Sequence, residues 1–192
     1  NKEHQLSAMA GFSASRTDYE EVTADSKKLS SILKYYNLQG AEEHGPNSSY
    51  AVPSSLVSFY GRFNYNFSNR YLATLTMRGD GSSRFAPGHR WGFFPSLALA
   101  WRASEESFIK ENAPVISNLK LRTSWGRAGT DNIGQFQYMS AYGTGGDAVF
   151  GGQNPEIAPG YTETRFPNPN ITWETSEMFN IGIDASFFNG KL

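Results

Sequence analysis

Between Phe59 and Phe67 every second residue is apolar or glycine. Phe59, Gly61, Phe63, Tyr65 and Phe67 take the odd positions, and Tyr60, Arg62, Asn64 and Asn66 take the even ones. A β-strand points successive side chains to opposite faces, so a period of two builds a sheet with one apolar and one polar side. The same beat returns along the chain. Tyr71, Ala73, Leu75 and Met77 oppose Thr74, Thr76 and Arg78. Trp91, Phe93, Pro95, Leu97, Leu99 and Trp101 oppose Gly92, Phe94, Ser96, Ala98, Ala100 and Arg102. Leu119, Leu121, Thr123 and Trp125 oppose Lys120, Arg122, Ser124 and Gly126, and a further run lies at Leu6–Ser15. Near the end, Trp173, Thr175, Phe179, Ile181, Ile183, Ala185 and Phe187 are expected on one face, with Glu174, Ser176, Asn180, Asp184 and Ser186 on the other. The fold class is all-β.

The connections alternate as well. Short ones are expected at Ser68–Arg70, at Ser104–Asn118 with one helical turn, and at Asn189–Gly190, a hairpin signal. Long ones are expected at Thr17–Ser55, Gly79–Arg90 and Arg127–Ile171, with a short helix over Ser26–Tyr36. A structureless loop as long as the last is out of place in a compact soluble domain. Hairpins with one tight end and one elaborate end are the habit of outer-membrane barrels. Runs of about ten residues match a tilted bilayer crossing. Tyr71, Trp91, Trp101, Trp125 and Trp173 stand near run ends, where interfacial aromatic girdles lie. A soluble β-sandwich also alternates, with its apolar face inward. Alternation alone does not say which face is covered.

Composition narrows the function. With 17 Lys and Arg against 18 Asp and Glu, the net charge of −1 gives no case for nucleic acid. There is no cysteine, so no disulfide or thiolate metal site. His4, His44 and His89 are too scattered for a metal motif, and Asp131, Asp147 and Glu156 for a calcium site. No apolar run is long enough for a membrane helix. No catalytic or phosphate-binding motif is present, so neither enzyme activity nor a cofactor is expected. Glu105-Glu106 reads as solvated capping beside a helix start. The polar opening at Asn1-Lys2-Glu3-His4 and the turn signal at the close read as an internal piece of a longer protein.

Several stretches in register carry a resemblance. They are SFYGRFNYNF at Ser58–Phe67, RGDGSSRF at Arg78–Phe85, RWGFFPS at Arg90–Ser96, LKLRTSWG at Leu119–Gly126, NPNITWE at Asn168–Glu174 and NIGID at Asn180–Asp184. In this order the series resembles the SusC/RagA family of TonB-linked (TonB-dependent) outer-membrane transporters. The likeness runs from about Ser54 to Leu192 and more loosely before that. One departure is Gly129-Thr130-Asp131-Asn132, where the family has Gly-Asn.

The resemblance implies an antiparallel up-and-down transmembrane β-barrel segment, about six to seven strands of a barrel of about 22. Periplasmic turns would be short and extracellular loops long. Residues 1–192 would be one partial barrel domain, with the plug and the TonB box outside this sequence. The implied work is import of oligosaccharides or peptides across the outer membrane of a Gram-negative bacterium, with TonB as energy source and a SusD-like lipoprotein as partner. Arg62, Asn64, Asn66, Arg78, Arg102, Lys120, Arg122, Glu174, Asn180 and Asp184 would then face the lumen. Tyr142, Phe150 and Tyr161 are candidate contacts to ligand or lid. The alternative is a secreted β-sandwich binding or adhesion module displaying the Arg78-Gly79-Asp80 tripeptide. Against it, Arg78 ends a strand, and Gly79 and Gly81 are expected at positive φ in a loop entry.

Overall fold

The structure is a computed structural model and describes residues 3–29, 38–151 and 156–188. The Asn189–Gly190 turn and residues 30–36 of the expected helix lie outside them. The strands are β1 (His4–Thr23), β2 (Ser26–Leu29), β3 (Ala41–His44), β4 (Ser48–Phe67), β5 (Tyr71–Ser82), β6 (Trp91–Arg102) and β7 (Ile116–Thr130). They continue as β8 (Ala141–Thr144), β9 (Ala148–Phe150), β10 (Glu156–Ala158), β11 (Tyr161–Arg165) and β12 (Glu174–Phe187). Among the described residues the α-helix α1 (Ser107–Asn112) lies between β6 and β7.

Six long strands form one sheet in the order β1-β4-β5-β6-β7-β12, and from β4 onward each neighbouring pair is antiparallel. Neighbours in the sheet are neighbours among the long strands, which is an up-and-down meander. The barrel is not closed within this segment. The chain divides into two compact units, 1–14 with 56–192, and 15–55. In the second, β2 pairs with β3, and the rings of Tyr19 and Tyr50 lie 5.6 Å apart.

The register keeps the two faces separate across the sheet. Phe67, Tyr71, Trp101, Leu121 and Ile183 form one apolar row, and Phe63, Leu75, Leu97, Trp125 and Phe179 form another. Trp91 and Trp101 bracket the band on β6. The ten residue steps between them rise about 25 Å, at about 3.3 Å per residue on a strand tilted about 40°. That is the height of the apolar band of an outer-membrane barrel. Phe67 stacks on Tyr71 at one edge of the band and Phe59 on Trp91 at the other. On β7 and β12 the band ends earlier, at the Arg127–Glu177 ion pair (2.5 Å). A tilted sheet makes that drift, because a level band crosses its strands obliquely.

The apolar face is bare. Ile181 is 75% exposed and Trp91 60%. Among the described residues no second sheet of more than two strands exists to cover it, which removes the sandwich. The buried apolar residues are few and elsewhere: Phe85, Ala86, Phe94 and Ala103.

Several expectations are corrected. Ser26–Leu29 is a strand paired to β3, not the start of a helix. Thr17–Ser55 is not all loop, since β1 runs to Thr23 and β4 begins at Ser48. Arg127–Ile171 is not structureless, since β7 runs to Thr130 and two ribbons follow, β8 with β11 and β9 with β10. Gly79 and Gly81 are extended members of β5 rather than positive-φ turn residues. Gly81 sits close under the Trp91 ring, where an added Cβ would stand 3.0 Å from it. The turn at Ser68–Arg70 is present and tight: Ser68 and Asn69 both take positive φ, and the Arg70 N–H bonds the Phe67 carbonyl. Two positive-φ residues give the turn whose twist matches paired strands.

Candidate functional site

The polar face gathers most of the candidate residues. Arg62, Thr76, Ser96 and Gly126 share one row, and Asn64, Thr74, Ala98, Ser124 and Asn180 the next. Arg102, Lys120 and Asp184 form a row near the short-turn end. Arg62 Nε donates to Thr76 Oγ1 (3.3 Å). Asn64 donates to Ser7 Oγ and accepts from Thr74 Oγ1 (2.9 Å), and Asn66 donates to Gln5 and Asn69. Arg122 stands 3.4 Å from Asp184, and Arg102 3.6 Å from Glu105. Glu174 is set apart at the loop end, opposite Thr130.

At that loop end the polar face carries a packed node. Phe85 is fully buried, and its ring and that of Phe94 lie 5.4 and 5.2 Å from Trp173. Trp173 Nε1 donates to the Arg90 carbonyl (2.9 Å), and Thr172 Oγ1 to the His89 carbonyl. Ser82 Oγ donates to Asp131 (2.7 Å), and Arg84 donates to the carbonyls of Asp131 and Ile133. Residues 83–90 are thus tied to both ends of the long segment between β7 and β12. Trp173 was expected on the apolar face as a girdle ring. It precedes β12, so the strand period does not extend to it, and its ring packs on the polar side beside Phe94.

The tripeptide Arg78-Gly79-Asp80 lies inside β5. Asp80 is buried, and its carboxylate accepts both bonds from Arg78 Nε (2.8 and 2.9 Å), while Arg78 also reaches Ser58. An adhesion loop must protrude, and this tripeptide does not.

Sequence reasoning missed a second node, at the short-turn end. Glu106 does not cap α1 with its side chain. Its carboxylate accepts from Tyr71 Oη (2.7 Å), Trp101 Nε1 (3.2 Å) and Arg70 (3.2 Å), and its side chain is only 12% exposed. Tyr71 and Trp101 pair across β5 and β6, so the carboxylate seals that hairpin to the next turn. Only the register could have exposed this, since Arg70 and Glu106 are far apart in sequence. The bonds from Tyr71 and Trp101, then the Arg70 charge, hold the Glu106 carboxyl below its ordinary 4.5. Glu105 is likewise lowered, first by its bond from Lys110.

A depressed carboxyl stabilises the fold above its ordinary pKa and loses that contribution as pH falls through its folded value. The urea midpoint of the full-length protein is therefore expected to drop below about pH 4.5, and Glu106→Gln to remove part of that drop. An identical pH profile in Glu106→Gln would show that the node does not contribute.

Tyr142, Phe150 and Tyr161 are all strongly exposed. Tyr142 and Tyr161 share a face of the β8–β11 ribbon, opposite Glu163 and Thr144 respectively, whereas Phe150 belongs to β9. Among the described residues no ring contact joins the three and no cluster of metal-ligating side chains occurs. No described helix is long and apolar enough to cross a membrane, which says nothing of strands.

The family model described as "TonB dependent receptor-like, beta-barrel" matches residues 3–192. The chain is 45% identical to TonB-dependent receptor SusC of Bacteroides thetaiotaomicron over 149 residues, 76% of this chain and 14% of that protein. It is 34% identical to TonB-dependent receptor P3 of Formosa agariphila, over 98% of this chain and 18% of that one. Among solved structures, the RagAB peptide transporter aligns over the whole chain with a TM-score of 0.80 at 24% identity, covering 20% of its own chain. The RagAB peptide importer in its open-open state aligns over 99% with a TM-score of 0.79 at 26% identity. The chain therefore spans a fifth or less of the proteins it matches. On the family match and the two-faced meander together, it belongs to the TonB-dependent receptor β-barrel family, on the SusC/RagA side, as a segment of barrel wall.

Proposed function

We propose that this chain is part of the barrel of a TonB-dependent importer in the outer membrane of a Gram-negative bacterium, carrying oligosaccharides or peptides. The apolar face meets lipid and the polar face lines the lumen. The loop end lies outside, where a SusD-like lipoprotein covers the mouth. TonB acts through a plug and TonB box outside this sequence. The observation that carries the reading is the six-stranded meander with a bare apolar band, short turns at one end and long loops at the other, in a chain matched by the family model over 3–192. RagAB is described as a peptide importer, which supports the peptide half of the substrate class.

An antibody to residues Gly143–Tyr161 tests it. Fractionated cells are expected to show an outer-membrane band far larger than 21.3 kDa. Its mobility should change on boiling, and the loop should be accessible on intact cells. A soluble band near 21.3 kDa would contradict the reading.

A further inference from the structure

The connection between β6 and β7 is fastened to the wall it leaves. Its Glu106 carboxylate accepts from Tyr71 Oη and Trp101 Nε1. Both rings stand in one apolar row, so these two bonds hold the start of α1 against the apolar side of the sheet, level with that row. The residue before it does the opposite. Glu105 stands 3.6 Å from Arg102, which belongs to the polar rows, and 2.8 Å from Lys110. Adjacent carboxylates thus straddle the end of the sheet, and Lys110 marks the side of α1 that turns toward the polar face.

That fixes the other side of the helix. Residues two apart on an α-helix stand about 200° apart around its axis, so Phe108 faces away from Lys110, out on the apolar side. Phe108 is 53% exposed. Beyond α1 the apolar face resumes. Ile116 pairs with Phe187, and a bulge at Ser117 keeps Ile116 on the face of Leu119, Ala185 and Phe187. The helix therefore lies between two stretches of the apolar face, with Trp101 before it and Ile116 after it. The exposure of Phe108 does not come from an open edge of the sheet, because β6 and β7 are inner strands with β5 and β12 beside them. A plug fills the lumen, and this is the other side of the wall.

We infer that α1 is a foot in the membrane interface. The Phe108 ring enters the phospholipid leaflet at the short-turn end, at the boundary of headgroups and acyl chains, while Lys110 stays on the water side. The inference rests on the proposal that the apolar face meets lipid. Phospholipid is the occupant because this surface continues the apolar band. It also shares its edge with Tyr71 and Trp101, rings with a polar tip that sit at such boundaries. An apolar ring on a short, otherwise polar helix beside them takes the same place.

The test uses a cysteine-free version of the full-length protein in vesicles of phosphatidylcholine and phosphatidylglycerol. Single cysteines replacing Phe108, Lys110 and, as a reference, Leu97 carry an environment-sensitive fluorophore. Two quenchers are compared: a lipid with a nitroxide near the top of its acyl chain, and iodide in the water on both sides of the vesicle. The lipid quencher is expected to dominate at 108 and iodide at 110. Phe108→Ser is expected to lower the urea midpoint in vesicles, which loss of a ring standing in water would not do. Iodide dominating at 108, or equal quenching at 108 and 110, overturns the inference, as does an unchanged midpoint in Phe108→Ser. Iodide dominating at 108 but not at 97 sinks the foot and leaves the wall in the membrane. Iodide dominating at both sinks the importer reading itself.

Discussion

Replacing Phe85 with alanine in the full-length protein is expected to free the loops without dissolving the barrel. The ring is fully buried and packs against Trp173, so its removal leaves a cavity worth about 3–5 kcal/mol. The loss is local, because the node joins residues 82–90 to Asp131, Ile133 and Trp173 at the loop end of the sheet and leaves the pairing of the strands below it untouched. Proteolysis within 131–173 goes through local opening. It is expected to accelerate by about two to three orders of magnitude, while mobility on boiling stays that of a folded barrel. Trp173→Phe is the milder companion. It keeps ring contact with Phe94 but loses the bond to the Arg90 carbonyl, for about 1 kcal/mol. Unchanged proteolysis in Phe85→Ala would mean that the loops are held by something other than this core.

The second large effect separates adjacent residues. Leu97 lies in the middle of the apolar band, across from Leu75 and Trp125, and Ser96 lies behind it on the polar face between Thr76 and Gly126. Leu97→Arg places a charge against lipid near mid-height and is expected to cost about 2–4 kcal/mol. Ser96→Arg faces the water-side row and is expected to cost well under half of that. The comparison is read as the urea midpoint of the full-length protein refolded into vesicles. Equal penalties would argue against two faces in different solvents.

Much of this was legible from the chain itself. The period of two from Phe59 to Phe67 and from Trp91 to Trp101 placed strands, faces and short turns, because a strand of a sheet with two unlike faces cannot break its beat without turning side chains to the wrong side. The polar rows followed from the same parity: Arg62, Asn64, Lys120, Arg122, Asn180 and Asp184 do share a face. What parity could not give was whatever happens where the ladder stops. Trp173 keeps the odd number of the apolar set but stands one residue before β12, and its indole donates to the Arg90 carbonyl of a distant loop. Glu106 read as an ordinary cap, because its partners Arg70, Tyr71 and Trp101 become neighbours only through register. The glycines of Arg78–Phe85 were read for backbone freedom, whereas Gly81 is an extended strand residue packed close under the Trp91 ring. The ribbons between Tyr142 and Arg165 are short and rich in glycine, so their pattern was too brief to distinguish from loop.

The central claim is that one sheet face meets lipid and the other meets the lumen. This sequence contains no cysteine, so single cysteines can be placed at Leu75, Thr76, Ser96, Leu97, Ala98 and Leu99 in a cysteine-free version of the full-length protein. Each carries a nitroxide, and the protein is reconstituted in vesicles. Collision with dissolved oxygen, which concentrates in lipid, is compared with collision with a water-soluble nickel chelate. The account predicts a strict alternation, with oxygen dominating at 75, 97 and 99 and falling at 76, 96 and 98. Uniform accessibility along the strand, or the nickel chelate dominating at 97 and 99, would contradict it.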